Sequence, residues 1–165
     1  MSEFFAANLG APARNALDWS SLSGVSRLPP GKEAVAWSKE EAFLAVLFAA
    51  ATCDGTLSGE EQEELLALVH RSRVLKVLST DQLAAINVTI ASRLRDADTA
   101  LRNACVALPE EMRLTAFAHA LDLVLADGQI SDDEADFLNT LILHMHLSGA
   151  DVERIADVML LKNRY

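Results

Sequence analysis

The stretch Asp54-Gly55-Thr56-Leu57-Ser58-Gly59-Glu60-Glu61 decides the fold, because the chain contains it twice. Its second copy is Asp127-Gly128-Gln129-Ile130-Ser131-Asp132-Asp133-Glu134, 73 positions further on. Asp, Gly, an aliphatic residue, Ser and a final Glu keep their places in both copies. Each copy follows an apolar run with helical spacing and precedes a second helical pattern. We therefore predict two helix-turn-helix repeats, at 38–71 and 110–147, each built around one Asp-Gly turn.

The remaining sequence is typical of one all-α domain. Hydrophobic residues make up 51% and charged residues 23% of the 165 residues, which suits a globular protein with a real core. Ala and Leu are abundant and strand patterns are scarce, so helix is favoured throughout. Residues 38–165 are predicted to form a compact bundle of about seven helices. Their start signals are Ser38, Ser58, Ser79, Asp96, Pro109 at a first helical position, Ser131 and Ser148.

Residues 1–37 differ from this pattern. Prolines, glycines and a serine cluster interrupt any long periodicity there. The same segment carries apolar side chains that could dock on a core, namely Phe4, Phe5, Leu9, Leu17 and Trp19. We expect a partly ordered N-terminal arm and not a separate domain.

The net charge of −10 restricts the partners. It argues against nucleic acid and anionic membranes, which need a basic face, and permits cations or a basic protein. The longest apolar run, 42–53, is shorter than the ~20 residues that span a bilayer. Cys53 and Cys105 form no CxxC motif and indicate buried, reduced thiols. With no signal-peptide pattern, a cytoplasmic protein without membrane insertion is expected; these patterns do not determine its oligomeric state.

Helix capping explains most of the repeated octet, but not its aspartates. The Gly suits a left-handed residue at a helix C-terminus, and the Ser and Glu form a capping box. Asp54 and Asp127 would face the negative end of a helix dipole, which costs about 0.3–1 kcal/mol at exposed sites. Either the carboxylates accept hydrogen bonds from the turn, or they bind a cation. The candidate ligands of that cation are Asp54, Glu61, Asp127 and Glu134.

Oxygen ligands of this kind favour a divalent cation, Ca²⁺ above all. The octet resembles the second half of an EF-hand loop, in which Asp, Gly, an aliphatic residue and Glu recur at fixed positions. The first half lacks carboxylates: Ala50 and Thr52 stand there in one copy, Leu123 and Leu125 in the other. A true EF-hand is rejected. A cation site would therefore need both turns side by side at one end of the bundle, with helices 38–54 and 110–127 in contact.

The paired segments CDGTLSGEE, at 53–61, and ADGQISDDE, at 126–134, resemble the TerB-like tellurite-resistance domain. The resemblance covers residues 38–162. It implies a small, cytosolic, all-helical domain of bacterial stress and metal-resistance systems, with an acidic surface for a divalent cation or a partner. The alternative is a metal-free interaction module whose acidic face recruits a basic protein.

His119 and Asp122 are secondary candidates, since they lie at i and i+3 on one predicted helix. Such a pair could bind a metal, or act as a general base with its orienting group. It could equally be a partly buried structural contact. The sequence contains no nucleophile elbow, phosphate-binding loop, dinucleotide fingerprint, HExxH or kinase motif. We therefore expect no enzymatic activity, and no cofactor apart from the candidate divalent cation.

Overall fold

The computed structural model describes residues 37–53, 59–93, 97–126 and 130–164. This part of the chain forms seven helices and no strand, which confirms the all-α prediction. In chain order they are α1 (Lys39–Ala50), α2 (Gly59–Arg71), α3 (Thr80–Arg93), α4 (Ala97–Ala107), α5 (Glu110–Val124), α6 (Asp132–Met145) and α7 (Gly149–Lys162). The division of the bundle into two repeats stays a prediction, and most of the predicted arm, residues 1–36, lies outside the described residues.

Side-chain caps begin several helices where the sequence places them. The hydroxyl oxygen of Ser38 accepts a hydrogen bond from the Glu41 N–H at 3.1 Å, and the Ser38 N–H donates to Glu41 Oε2 at 2.8 Å. Ser79 and Gln82 exchange the same two bonds at the start of α3, at 3.2 and 2.8 Å. Each pair satisfies two backbone groups that the first turn of a helix leaves open. Pro109 is the N-cap of α5 and not its predicted first residue, a shift of one position.

Helix α1 lies at the centre of the bundle. It packs against α4 and α5 and also contacts α2 and α3. Around this helix, α6 packs on α4 and α5, and α7 packs on α5. Seven of the twelve residues of α1 are buried, namely Ala42, Phe43, Leu44, Ala45, Val46, Leu47 and Ala50. A helix that is apolar on nearly every side must be covered on nearly every side, and α2, α3, α4 and α5 supply that cover.

One arginine joins the C-terminal ends of two helices. Arg113 Nε donates to the carbonyl of Leu108 at 3.1 Å, just after α4, and Nη1 donates to the carbonyl of Met145 at 3.2 Å, at the end of α6. The last carbonyls of a helix have no partner within it and carry its negative dipole end. The Arg113 guanidinium therefore donates hydrogen bonds to carbonyls at the ends of two helices and places its positive charge beside both negative dipole ends.

Helix α3 is the least embedded helix of the described part. Of its described side chains only Ile90 is fully buried, and Val88 is 72% exposed. Arg93, in its last turn, stacks over the ring of Trp37 at 4.4 Å and approaches Glu41 at 3.7 Å. These two contacts tie the end of α3 to the start of α1. None of the helices in the described ranges is long and apolar enough to cross a membrane.

Candidate functional site

The two Asp-Gly turns fall largely outside the described residues. Asp54 and Asp127 are among the residues that the structure does not describe, and so is the side chain of Glu61, although its backbone belongs to α2. The predicted juxtaposition of the turns therefore stays a prediction. The helices that enter and leave the turns are described.

The helices that lead into the turns, α1 and α5, pack directly against each other. This confirms the predicted contact between them. The chain stays close to the core as it leaves them: Ala51 is buried after α1, and Leu125 is buried after α5. Beyond Ala51, the Thr52 hydroxyl donates to the Phe48 carbonyl at 2.9 Å, and Cys53 Sγ to the Ala50 carbonyl at 3.1 Å. These bonds satisfy carbonyls at the C-terminal end of α1, immediately before Asp54.

Glu134 is the one predicted ligand whose side chain is described, and it closes a capping box. Its Oε2 accepts a hydrogen bond from the Ser131 N–H at 2.7 Å, and its own N–H donates to Ser131 Oγ at 3.3 Å. The capping interpretation is therefore correct for the second copy. One carboxylate oxygen is committed to the backbone, which leaves Oε1 as the atom that could face an ion.

The first turn of α6 is acidic beyond this box. Asp132 and Asp133 are exposed, where the positive end of the helix dipole favours them. Across residues 37–53, 59–93, 97–126 and 130–164, no three His, Cys, Asp or Glu side chains are placed to hold one ion. Of the four predicted ligands only Glu134 has a described side chain, so a shared site at the turns is neither supported nor contradicted by this result.

The two secondary candidates, His119 and Asp122, contact different helices. The Asp122 carboxylate is bound by Lys162 Nζ and by Asn163 Nδ2, the latter at 3.1 Å, so it ties α5 to the end of α7. The His119 ring meets Phe43 of α1 edge to face, with centroids 5.8 Å apart.

Burial lowers the pKa of His119. Asp122 opposes this shift, while Lys162 and Arg71 add to it. A neutral imidazole against an aromatic ring, next to a carboxylate held by a cation, has the features of a structural contact.

The two cysteines differ from each other. Cys105 is buried, as predicted, and burial raises its pKa to about 12, so the thiol stays protonated. Cys53 is only half-buried, so the prediction of a buried thiol is wrong there. Neither forms a disulfide.

Sequence reasoning missed three residues that hold the helices near these positions, namely Arg113, Lys162 and Asn163. Each acts on a group far away in the chain: Arg113 reaches Met145, and Lys162 and Asn163 reach Asp122. A lysine in the last turn of a helix suggests a dipole role but does not identify a carboxylate 40 positions away. No local pattern could have revealed these pairs.

Comparison with known proteins gives a match to one family model. The family model described as "Tellurite resistance protein TerB" matches residues 40–157. The matched region runs from the first turn of α1 into α7 and contains both Asp-Gly turns. No curated protein and no solved structure matches the chain.

Proposed function

The chain belongs to the TerB family of tellurite resistance proteins, and from that premise we propose that it is a non-enzymatic cytoplasmic protein whose two Asp-Gly turns form an acidic, cation-binding face. The ion is divalent, Ca²⁺ on ligand type, and its ligands are Asp54, Glu61, Asp127 and Glu134. The observation that carries the proposal is the direct packing of α1 on α5, because each of these helices leads into one turn. Neither turn could chelate a hard cation alone, so the site needs the two together.

Charge-removing variants test the cation site at the turns. Asp54→Asn, Asp127→Asn and the double variant keep the size of the side chain and tolerate a turn conformation, but lose the charge that a hard cation needs. Ca²⁺ at 100 times its dissociation constant should add about 2.7 kcal/mol to the parent's free energy of unfolding. Either single variant should lose most of this gain, and the double variant little more, because one shared site fails once.

Asp132→Asn is the matched control, since Asp132 is an exposed acid whose counterpart in the first copy is Gly59. It should keep the Ca²⁺ response. Additive losses in the double variant would indicate two separate sites. The cation proposal is abandoned if millimolar Ca²⁺, Mg²⁺ and Zn²⁺ all leave the parent's unfolding transition where EDTA leaves it.

A second candidate function is a metal-free module that recruits a basic protein. The commitment of Glu134 to its capping box favours it, as do the exposed carboxylates of Asp132 and Asp133. Titration with a short Lys- and Arg-rich peptide should then show salt-sensitive binding that EDTA does not change. Asp132→Asn together with Asp133→Asn should weaken this binding. If EDTA abolishes the binding of the peptide, the result supports the cation proposal instead.

His119 lies outside the proposed site. His119→Ala is therefore expected to leave the cation affinity within a few-fold of the parent, measured by calorimetric titration. A loss beyond tenfold, about 1.4 kcal/mol, would place His119 among the ligands and revive an enzymatic function for it and Asp122.

A further inference from the structure

The end of α7 is held to α5 by one carboxylate. Asp122 accepts hydrogen bonds from Lys162 Nζ on both of its oxygens, and from Asn163 Nδ2 at 3.1 Å. Asn163 also closes α7, because its backbone N–H and its Nδ2 both donate to the Met159 carbonyl, at 3.0 and 3.1 Å. The side chains of Asp122, Lys162 and Asn163 therefore form one hydrogen-bonded unit between the two helices, the Asp122 tie.

Few other contacts hold the second half of α7. The fully buried residues of this helix are Val152 and Ala156, and both lie within its first eight residues. After Ala156 none of the described residues is fully buried, although Met159 and Leu160 pack partly buried against the core. Because helix ends are the first part of a helix to open, the last turn of α7 depends on the Asp122 tie more than the first turn does.

His119 lies three residues before Asp122, on the same face of α5. Its half-buried ring meets Phe43 of α1 edge to face. The charged groups that act on this ring come from three helices, namely Asp122 of α5, Lys162 of α7 and Arg71 of α2. The described residues of α1 and α6, which also pack on α5, add no charge to this set. The ring therefore responds to both charged members of the Asp122 tie.

A proton on His119 and the ammonium of Lys162 oppose each other. Burial lowers the pKa of His119, Asp122 raises it, and Lys162 and Arg71 lower it further. Coupling between two sites is reciprocal. Since the Lys162 ammonium disfavours a proton on His119, a proton on His119 disfavours the ammonium at Asp122. The charged ring also attracts the Asp122 carboxylate, its neighbour on the helix surface. Lys162 is 53% exposed, so its ammonium is readily hydrated when it leaves.

We propose that the Asp122 tie is a proton-controlled latch. When the His119 ring takes up a proton, the Asp122 carboxylate pairs with the ring, Lys162 and Asn163 are released, and the last turn of α7 separates from α5. When the proton leaves, the tie forms again. This inference goes beyond the proposed cation face and is independent of it, because the latch involves neither Asp-Gly turn.

NMR of the full-length protein tests the latch, with the His119 ring and the backbone amides followed in the same samples. As the ring takes up its proton on lowering the pH from 7.5, the amide protection factors of residues 160–163 should fall by at least about five-fold. The protection factors of residues 152–156 should stay unchanged. In His119→Gln, residues 160–163 should keep their protection over the same pH range.

Two variants of the tie separate a latch from a passive contact. Lys162→Gln should open the last turn of α7 already at pH 7.5 and raise the pKa of His119, because the ammonium that opposes the proton is gone. Asp122→Asn should open the same turn but lower the pKa of His119, because the carboxylate that favours the proton is gone. Arg154→Gln is the matched control on α7, since Arg154 is an exposed cation paired with Asp151. It should leave both readings unchanged.

Three results would overturn the proposal. In the first, residues 160–163 of the parent keep constant protection while the His119 ring takes up its proton. In the second, His119→Gln loses protection there as the parent does, because another group then opens the turn. In the third, Lys162→Gln leaves the pKa of His119 unchanged, which contradicts the coupling itself. This last measurement does not require the His119 variant to fold.

Discussion

Helices α1 and α3 start in the same way and have opposite positions in the molecule. A Ser caps each helix. The side chain three positions later, Glu41 in α1 and Gln82 in α3, accepts a hydrogen bond from the backbone N–H of that Ser. Yet α1 buries seven residues at the centre of the bundle, while Ile90 is the one described residue of α3 that is fully buried. Capping decides where a helix begins, and the distribution of apolar residues around it decides where the helix lies.

The largest expected effect is Phe43→Ala in α1. Phe43 is completely buried and contacts the ring of His119. Its truncation leaves a cavity in a core that is covered on every side, so it should cost about 3–5 kcal/mol of unfolding free energy. Val88→Ala in α3 should change it by less than about 0.5 kcal/mol. Urea unfolding measures both, and similar losses in the two helices would contradict the contrast drawn between them.

An intermediate effect is expected from removing the two caps. Ser38→Ala and Ser79→Ala each remove the serine oxygen that accepts a hydrogen bond from the backbone N–H three residues later. Each loss should destabilise its own helix by about 1 kcal/mol. In α1 the loss should appear in global unfolding, because that helix cannot open without the core. In α3 it should appear as faster amide exchange confined to Thr80–Arg93, with a nearly unchanged melting temperature. A global loss from Ser79→Ala would show that α3 unfolds together with α1.

The smallest effect is a pH dependence at the interface of α1 and α5. Burial lowers the pKa of His119 below its ordinary 6.5, so the unfolded chain binds this proton more readily than the folded one. The free energy of unfolding is highest above the pKa that His119 has in the unfolded chain. It declines as the pH falls below about 6.5, and the decline ends below the pKa of the folded state.

His119→Gln should remove this pH dependence between pH 7.5 and 5, measured by thermal unfolding against the exposed His70→Gln as control. If the parent and His119→Gln lose stability in parallel as the pH falls, His119 does not cause the loss.

Local features of the fold could be predicted from the sequence, because each depends on residues a few positions apart. The starts of α1, α3, α6 and α7 follow Ser38, Ser79, Ser131 and Ser148, as predicted. Cys105 is buried on the apolar side of α4, also as predicted. The central position of α1 could only be suggested by its all-round apolar composition, since the packing partners come from α4 and α5.

The candidate site was predicted less completely, for a physical reason. The Glu134 carboxylate accepts a hydrogen bond from the Ser131 N–H, as the capping pattern predicts. The sequence pairs Asp122 with His119 because both lie on one helix face, but the Asp122 carboxylate accepts hydrogen bonds from Lys162 and Asn163. Contacts between side chains on distant helices depend on packing angles that no short pattern encodes. Asp54 and Asp127 lie outside the described residues, so their prediction awaits the Ca²⁺ measurement.

The tie between Asp122 and the end of α7 sets a lower limit on where the chain can be shortened. The family match ends at residue 157, within α7, whereas Lys162 and Asn163 lie beyond it. A chain cut at the family boundary would keep the Asp122 carboxylate, whose side chain is only 18% exposed, without the two groups that bind it. A minimal domain that keeps this tie therefore extends to Asn163, and a fusion partner belongs after that residue and not at the end of the family match.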